Sequence, residues 1–430
     1  MLCLHLSIPI ADGYFYIMLA IHYDIQPAGW VACKILQPFW PSCRVRRLGG
    51  LGLRETASPS LPGDDWVRLR SVLSGICGTD IGIIALRQPA NSILQAFSSQ
   101  PMIMGHENLA VVEEVGPAVD KAWLGKRVCV DPGLGCIPRG ITPLCPRCQA
   151  GHYGACENFA AGGEHGLPPG TSIGYNSRTG GGFGQCFVAH QSQLVEPPAD
   201  ISDEQAVLTD PLACSLHAAL RADSSSARNV LVYGSGMMGL GLIACLRAIG
   251  YAGSIDVPAR HEYLDALAIK LGASSVLRLP RDGRGRFEAV ARRTGAEVKE
   301  SRFRNFMLCG GYDMSFDCVG SRQSVNECLK WTAARGQVVM LGTGHGGGVD
   351  LTPVWFRELH IIGAYGRQVE QFAGRAISTY ALVHNLMLEG KLNVSPLLTH
   401  RFRIEQYKEA FSLCLNKRAG KAIKVVFDYR

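Results

Sequence analysis

The sequence lacks any uninterrupted apolar run of about 18 residues, which excludes an ordinary transmembrane helix. Charged residues make up only 18% of the chain and no long tract of one sign occurs, so a disordered acidic or basic tail is excluded as well. The sixteen cysteines are not laid out as a disulfide framework, because four crowd into the segment 136–156 while the rest are scattered over 430 residues. That pattern implies metal binding plus reduced thiols, and hence a cytoplasmic setting. The net charge of +7 comes from 43 Lys and Arg among 36 Asp and Glu. The local runs Arg44 to Arg47 and Arg278 to Arg304 read as solvated faces, with neither nucleic acid nor membrane expected as a partner, although a modest positive field suits a phosphate-bearing cofactor. The first 27 residues are apolar from Tyr14 to Ile21, but Asp12 interrupts them and no basic segment leads them, so they are read as an extension of unknown role, not assigned to the fold.

With 47% hydrophobic residues, 50 Gly and 22 Pro, the chain is globular and rich in turns, and its length suggests two domains. Trp66–Gly75 alternates as a half-buried strand, and 109–115 and 127–130 add short strands bounded by turns at Gly116-Pro117 and Asp131-Pro132-Gly133. The segment 134–175 has no apolar period and reads as a cross-linked loop. After Pro211 the pattern changes. A helix over 212–220, a strand over Asn229–Tyr233 and a helix over 237–249 are followed by strands near 254–257, 314–318 and 337–341. Strand and helix in alternation imply a doubly wound parallel sheet. From about Glu358 mixed structure returns and ends in a strand over 422–428.

Gly234-Ser-Gly236-Met-Met-Gly239 places G-x-G-x-x-G after a predicted strand and at the mouth of a predicted helix. Gly234 permits the tight turn, Gly236 lets backbone approach a pyrophosphate, and Gly239 lets helix and strand pack closely. The helix N-terminus offers free N–H groups to the phosphates. Cys136-x8-Cys145-x2-Cys148-x7-Cys156 presents four thiols, a closed tetrahedral set suited to a structural zinc that orders a loop without a core. Cys129 lies close enough to compete with Cys136 for the first position. A nucleic-acid-binding zinc ribbon would interleave basic and aromatic residues around the knuckle, and only Arg147, His152 and Tyr153 stand between Cys145 and Cys156.

Gly75-Ile-Cys77-Gly-Thr79-Asp80, Gly105-His106-Glu107 and Thr209-Asp210-Pro211-Leu212-Ala213 each have bland explanations, Asp210 as a helix N-cap among them. Together with the cysteine knuckle, the Gly180 to Gln185 motif and the glycine loop, in this order, they resemble the zinc-containing medium-chain dehydrogenase/reductase superfamily, in its polyol, threonine and glucose dehydrogenase branch. The resemblance covers roughly Val67 to the C-terminus. It implies an α/β fold: a GroES-like β-rich catalytic domain over 28–211 and 358–430, and a Rossmann domain over 212–357, following the extension 1–27.

The resemblance further implies an alcohol dehydrogenase with two zinc ions. Cys77 and His106 would bind the catalytic ion, Glu107 as a third or exchangeable ligand, and Asp210, where the branch commonly has Glu, directly or through water. Cys136, Cys145, Cys148 and Cys156 would bind the structural ion, although the common spacing puts the first of these at Thr142. Thr79 would relay the hydroxyl proton, or else simply bond nearby backbone. Hydride would pass from a small-molecule alcohol, polyol, sugar or amino-alcohol to NAD(P) held by Gly234, Gly236, Met238 and Gly239, in a homodimer or homotetramer. Substrate-lining residues would come from 84–100, 163–178 and Gly342 onward. A zinc-free enone reductase of the same superfamily would lack the Cys77 and His106 pair. The position for a ribose-binding carboxylate falls on Ala259, with Asp256 three residues earlier and Arg260 next to it, so NADP is favoured over NAD.

Overall fold

The computed structural model describes residues 7–10, 13–344 and 347–430. Its contacts divide the chain into two units, one running to Asp210 and taking in Ser395–Arg430, the other spanning Pro211–Val394. Among the described residues no helix is long and apolar enough to cross a membrane.

In the first unit Trp66–Gly75 is the hub, buried along its length except at Arg70. It pairs antiparallel with Glu107–Val115 on one edge. Its other edge is shared by Cys186–His190 and, beyond it, the chain's final strand Lys424–Asp428. Trp66, Leu69, Val112, Val128 and Phe187 form the core beneath. A second sheet pairs Gly13–Tyr23 with Leu51–Ala57 and with Met102–Ile103. Met18, Ala20, Ile21 and Tyr23 are buried against Phe183, Phe411 and Phe427. The expected extension over 1–27 is therefore corrected: from Gly13 onward it is a strand of the fold, while 1–6, 11 and 12 lie outside the described residues. An unbroken apolar run conceals the period-two alternation by which such a strand is recognised.

The segment 134–175 carries little regular structure and is organised from within. Arg139, fully buried, donates to the carbonyls of Leu134, Phe159, Ala161, Leu167, Pro168 and Gly170. One guanidinium thus satisfies backbone acceptors that no helix or sheet serves.

The second unit is built on six parallel strands in the order Ser275–Arg278, Ser254–Ala259, Asn229–Tyr233, Tyr312–Asp317, Thr332–Met340, His360–Gly363. Strand order reverses next to Asn229–Tyr233, whose C-terminal end is where a doubly wound sheet opens its binding crevice. The unit reaches Val394, beyond the boundary expected at 357, for two reasons. His360–Gly363 is the sixth strand, and the following hairpin, Val369–Phe372 with Arg375–Ser378, is anchored by a buried 2.8 Å bond between Glu370 and His217 Nδ1. At the other boundary, the helix Thr209–Arg221 begins three residues before the expected start at 212.

Candidate functional site

Register in the first sheet assembles the open cluster. Gly75 ends its strand directly opposite Glu107, and Val426 of the final strand faces Gly75 from the other edge. A Cβ on Gly75 would meet Glu107 Oε2 at 2.1 Å, so glycine makes room for the carboxylate. Two residues on, Cys77 precedes the helix Gly78–Ile84, and His106 precedes Glu107. Donor atoms of Cys77, His106 and Glu107 all lie within 4.8 Å of one another. Asp210 is not brought into this group. It is buried in the first turn of the helix Thr209–Arg221 rather than standing before it as a cap.

Three residues that carried no assigned role in the sequence support this cluster. Asp80 accepts from the Cys77 backbone N–H at 2.9 Å and lies 3.6 Å from His106 Nδ1, in position to orient the imidazole. The Tyr175 hydroxyl stands 2.9 Å from Thr79 Oγ1 and 3.0 Å from Asp80 Oδ1, so it can accept from the threonine while donating to the carboxylate. Lys424 Nζ donates to Glu107 Oε2, and both side chains are buried. Burial alone would lower the pKa values of His106 and Lys424, yet the surrounding anions outweigh it and raise both. Burial and Asp80 raise the Tyr175 phenol well above its ordinary value, keeping it protonated. A half-buried thiol beside buried carboxylates and a buried imidazole, a set that pulls protons onto its neighbours, is chemically suited to a divalent cation.

The closed cluster gathers Cys136, Cys145, Cys148 and Cys156 within the same 4.8 Å limit, all buried. Cys136 Sγ and Cys156 Sγ are 3.7 Å apart, and Cys145 Sγ is 4.0 Å from Cys156 Sγ. Sulfurs around a tetrahedral zinc, at its usual bond length, stand about 3.8 Å apart. Backbone N–H groups of Cys145, Cys148 and Asn158 point at Cys136, Cys145 and Cys156, and Asn158 Nδ2 reaches Cys136 at 3.2 Å. Burial opposes ionisation of Cys145, but backbone N–H bonds and the adjoining thiols hold it down at about 6, while burial pushes Cys156 up to about 11. Thiols so crowded cannot all ionise without a shared cation. Cys129 is engaged elsewhere, with Sγ 3.3 Å from the Ala206 carbonyl, and Thr142 is exposed. No disulfide links the described cysteines.

In the second unit Gly234, at φ +120°, follows the strand Asn229–Tyr233, and Gly236 caps the helix Met237–Ala248. A Cβ on Gly239 would meet the Gly234 carbonyl at 1.6 Å, whereas one on Gly236 would meet nothing within 4 Å. One glycine serves packing and the other leaves the helix mouth open to a phosphate. Met238 is half-buried behind it. At the end of the neighbouring strand Arg260 is exposed, while Asp256 is buried with its oxygens held by Arg293 at 2.8 and 2.9 Å and by the Tyr312 hydroxyl at 3.0 Å. Of the expected substrate-lining segments, His345 and Gly346 lie outside the described residues.

Comparison with known proteins agrees with this chemistry. Residues 63–199 match the alcohol dehydrogenase GroES-like domain and residues 238–381 match the zinc-binding dehydrogenase family. The chain is 32% identical to the L-idonate 5-dehydrogenase of Vitis vinifera over 374 residues, covering 86% of this chain and 89% of that one. It is 30% identical to the sorbitol dehydrogenase of Arabidopsis thaliana over 372 residues, covering 85% and 89%. A short chain alcohol dehydrogenase of E. coli CFT073, solved with NADH, superposes with a TM-score of 0.69 at 20% identity, covering 96% of this chain and 99% of that one, which shows the shared fold. The chain belongs to the zinc-binding medium-chain alcohol dehydrogenases, on their polyol dehydrogenase branch, and is an NAD(P)-dependent oxidoreductase of alcohol-type substrates.

Proposed function

We propose that this protein oxidises the secondary hydroxyl of a polyol or sugar acid at Cys77, His106 and Glu107, with NADP as the preferred cofactor and a second zinc ion held by Cys136, Cys145, Cys148 and Cys156. The observation that carries the reading is the convergence of Cys77, His106 and Glu107 within 4.8 Å beside a separate four-thiol cluster. When bound, zinc supplies Lewis acidity to the substrate oxygen and the nicotinamide supplies a hydride acceptor. Asp80 sets a carboxylate 3.6 Å from His106 Nδ1, and Lys424 holds Glu107. Thr79 and Tyr175, 2.9 Å apart, would relay the proton that leaves the hydroxyl: Thr79 takes it up as its own passes to Tyr175, and Tyr175, which stays protonated, gives its own to the Asp80 carboxylate 3.0 Å away. Asp210 acts as an outer carboxylate whose field reaches Lys424, not as a direct ligand.

The polyol class follows from the relatives named above. Preference for NADP is supported by the commitment of Asp256 to Arg293 and Tyr312, which leaves exposed Arg260 to meet a 2′-phosphate. Arg260→Ala should lower kcat/KM for NADP by about tenfold and leave that for NAD unchanged. A preference for NAD that survives the substitution defeats the reading. The reduced state required of four ligand thiols supports a cytoplasmic setting. Trp355, Phe356 and Ile361 are exposed beside the edge strand His360–Gly363, which supports a homodimer formed by antiparallel pairing of two such edges. A panel of polyols and sugar acids assayed with both cofactors, after metal quantification, tests the whole reading. Zinc-free protein with full turnover would overturn it.

A further inference from the structure

Tyr23 and Leu51 face each other in register at the ends of two antiparallel strands, Gly13–Tyr23 and Leu51–Ala57. The Asp24 N–H donates to the Gly50 carbonyl at 2.9 Å, so the excursion between them leaves and returns at one point. A hairpin needs only a few residues there. The excursion instead contains the helix Pro27–Leu36 and two short 3-10 turns. Its inner side is fixed by Cys33 and Cys43, buried with Leu86 at the far end of the helix Gly78–Ile84 that Cys77 opens.

The outer side is unlike the rest of the surface. Val31 and Ile35, four residues apart on one helical face, are 50% and 65% exposed, and Phe39 and Trp40 beyond them are 90% and 42% exposed. The segment 25–50 contains Lys34, Arg44, Arg46 and Arg47 and no Asp or Glu at all. Among the described residues none of these four cations forms an ion pair. Lys34 donates to the Leu86 carbonyl and lies over Trp30, Arg44 donates to the Pro41 carbonyl, and Arg46 lies over Trp40.

We infer that residues 25–50 dock the enzyme on an anionic lipid bilayer. Exposed aromatic and aliphatic side chains beside uncompensated arginines are the two components of interfacial membrane binding: apolar burial at the headgroup boundary and attraction to acidic lipid. Charge decides between possible occupants. A second copy related by a two-fold axis would set these four unpaired cations against the same four. A nucleic acid would take up the arginines but would leave Val31, Ile35 and Phe39 facing phosphate and water. The helix Gly78–Ile84, about 10 Å long, runs from Cys77 towards the inner side of this excursion, opposite the face that docks.

The test is co-sedimentation of the intact enzyme with phosphatidylcholine vesicles, either neutral or containing roughly 30% phosphatidylglycerol. The variants are Ile35→Glu with Phe39→Glu, and Arg46→Glu with Arg47→Glu, all at exposed positions. Wild type should partition onto the acidic vesicles at least about tenfold better than onto neutral ones, and should be released at about 1 M salt. Each pair of substitutions should abolish partition without changing the melting temperature or turnover of a soluble polyol. Absence of partition, equal partition onto neutral vesicles, or partition unchanged in either variant would overturn the inference. So would a smaller assembly size in the variants than in wild type, which would make this face a contact between copies. Retention of a random-sequence oligonucleotide through the same residues would overturn it as well.

Discussion

Two clusters of similar ligand chemistry sit in one unit of this protein and are built on opposite plans. Around Cys136, Cys145, Cys148 and Cys156 all four donors are sulfur, and three backbone N–H groups are already aimed at them. The loop that carries them has little regular structure and hangs on Arg139. Around Cys77, His106 and Glu107 there are three donors of three kinds, mounted on strand ends already buried in a core and steadied by Asp80 and Lys424. The closed cluster replaces a hydrophobic core, whereas the open one is added to a core that exists without it. Damage to the first should therefore appear in stability, and damage to the second in chemistry.

The largest expected effect breaks the open site alone. His106→Ala should lower kcat by on the order of a thousandfold or more, the scale of several kcal/mol of lost Lewis-acid stabilisation. The melting temperature should move by no more than about 2 °C, because the strands beneath are untouched. Initial rates and a thermal melt on the same preparation check both halves, and a melt that collapses with the rate would erase the distinction between the clusters. Cys148→Ser should do the reverse, lowering the melting temperature by about 10 °C or more with loss of soluble yield, while turnover per folded molecule stays within about threefold of wild type.

A smaller effect tests the support for the open site. Lys424→Met takes the buried ammonium from Glu107 and leaves that carboxylate only the zinc it is proposed to bind, so stability should fall by less than the about 3–5 kcal/mol that a wholly unpaired buried carboxylate costs. Adding Glu107→Gln should return part of that loss, and denaturant melts of the four proteins of the cycle measure the coupling. Strict additivity would show that the pair is incidental. The smallest effect concerns Asp210, which lies outside the three-donor group. Asp210→Asn should reduce kcat/KM by less than about tenfold, and a loss as deep as that of His106→Ala would make it a direct ligand.

What the sequence revealed follows the same division. Ligand pairs close in the chain, such as His106 with Glu107 and Cys145 with Cys148, were visible as motifs, and so was the glycine loop that ties strand to helix. The residues that support them were not visible, because their roles depend on long-range register. Lys424 reaches Glu107 only because the final strand pairs with Gly75, and Tyr175 reaches Asp80 from a loop nearly a hundred residues away. Arg139 stood alone among Gly, Pro and Cys, where a lone cation gives no periodic signal. The Gly13–Tyr23 strand was hidden by its own uniform apolarity, and the sixth strand of the parallel sheet by its shortness and exposure. Cys136 could be set above Thr142 and Cys129 only once the loop closed on itself.

The most direct measurement is zinc per chain, quantified in wild type, His106→Ala and Cys148→Ser, each purified without added metal and paired with its melting temperature and turnover. Two ions in wild type are expected, corresponding to the two ligand groups. His106→Ala should retain one ion and its stability, and Cys148→Ser should lose the other along with its stability. A single ion in wild type that either substitution removes, or active wild-type protein with no zinc, would contradict the division of labour between the two clusters.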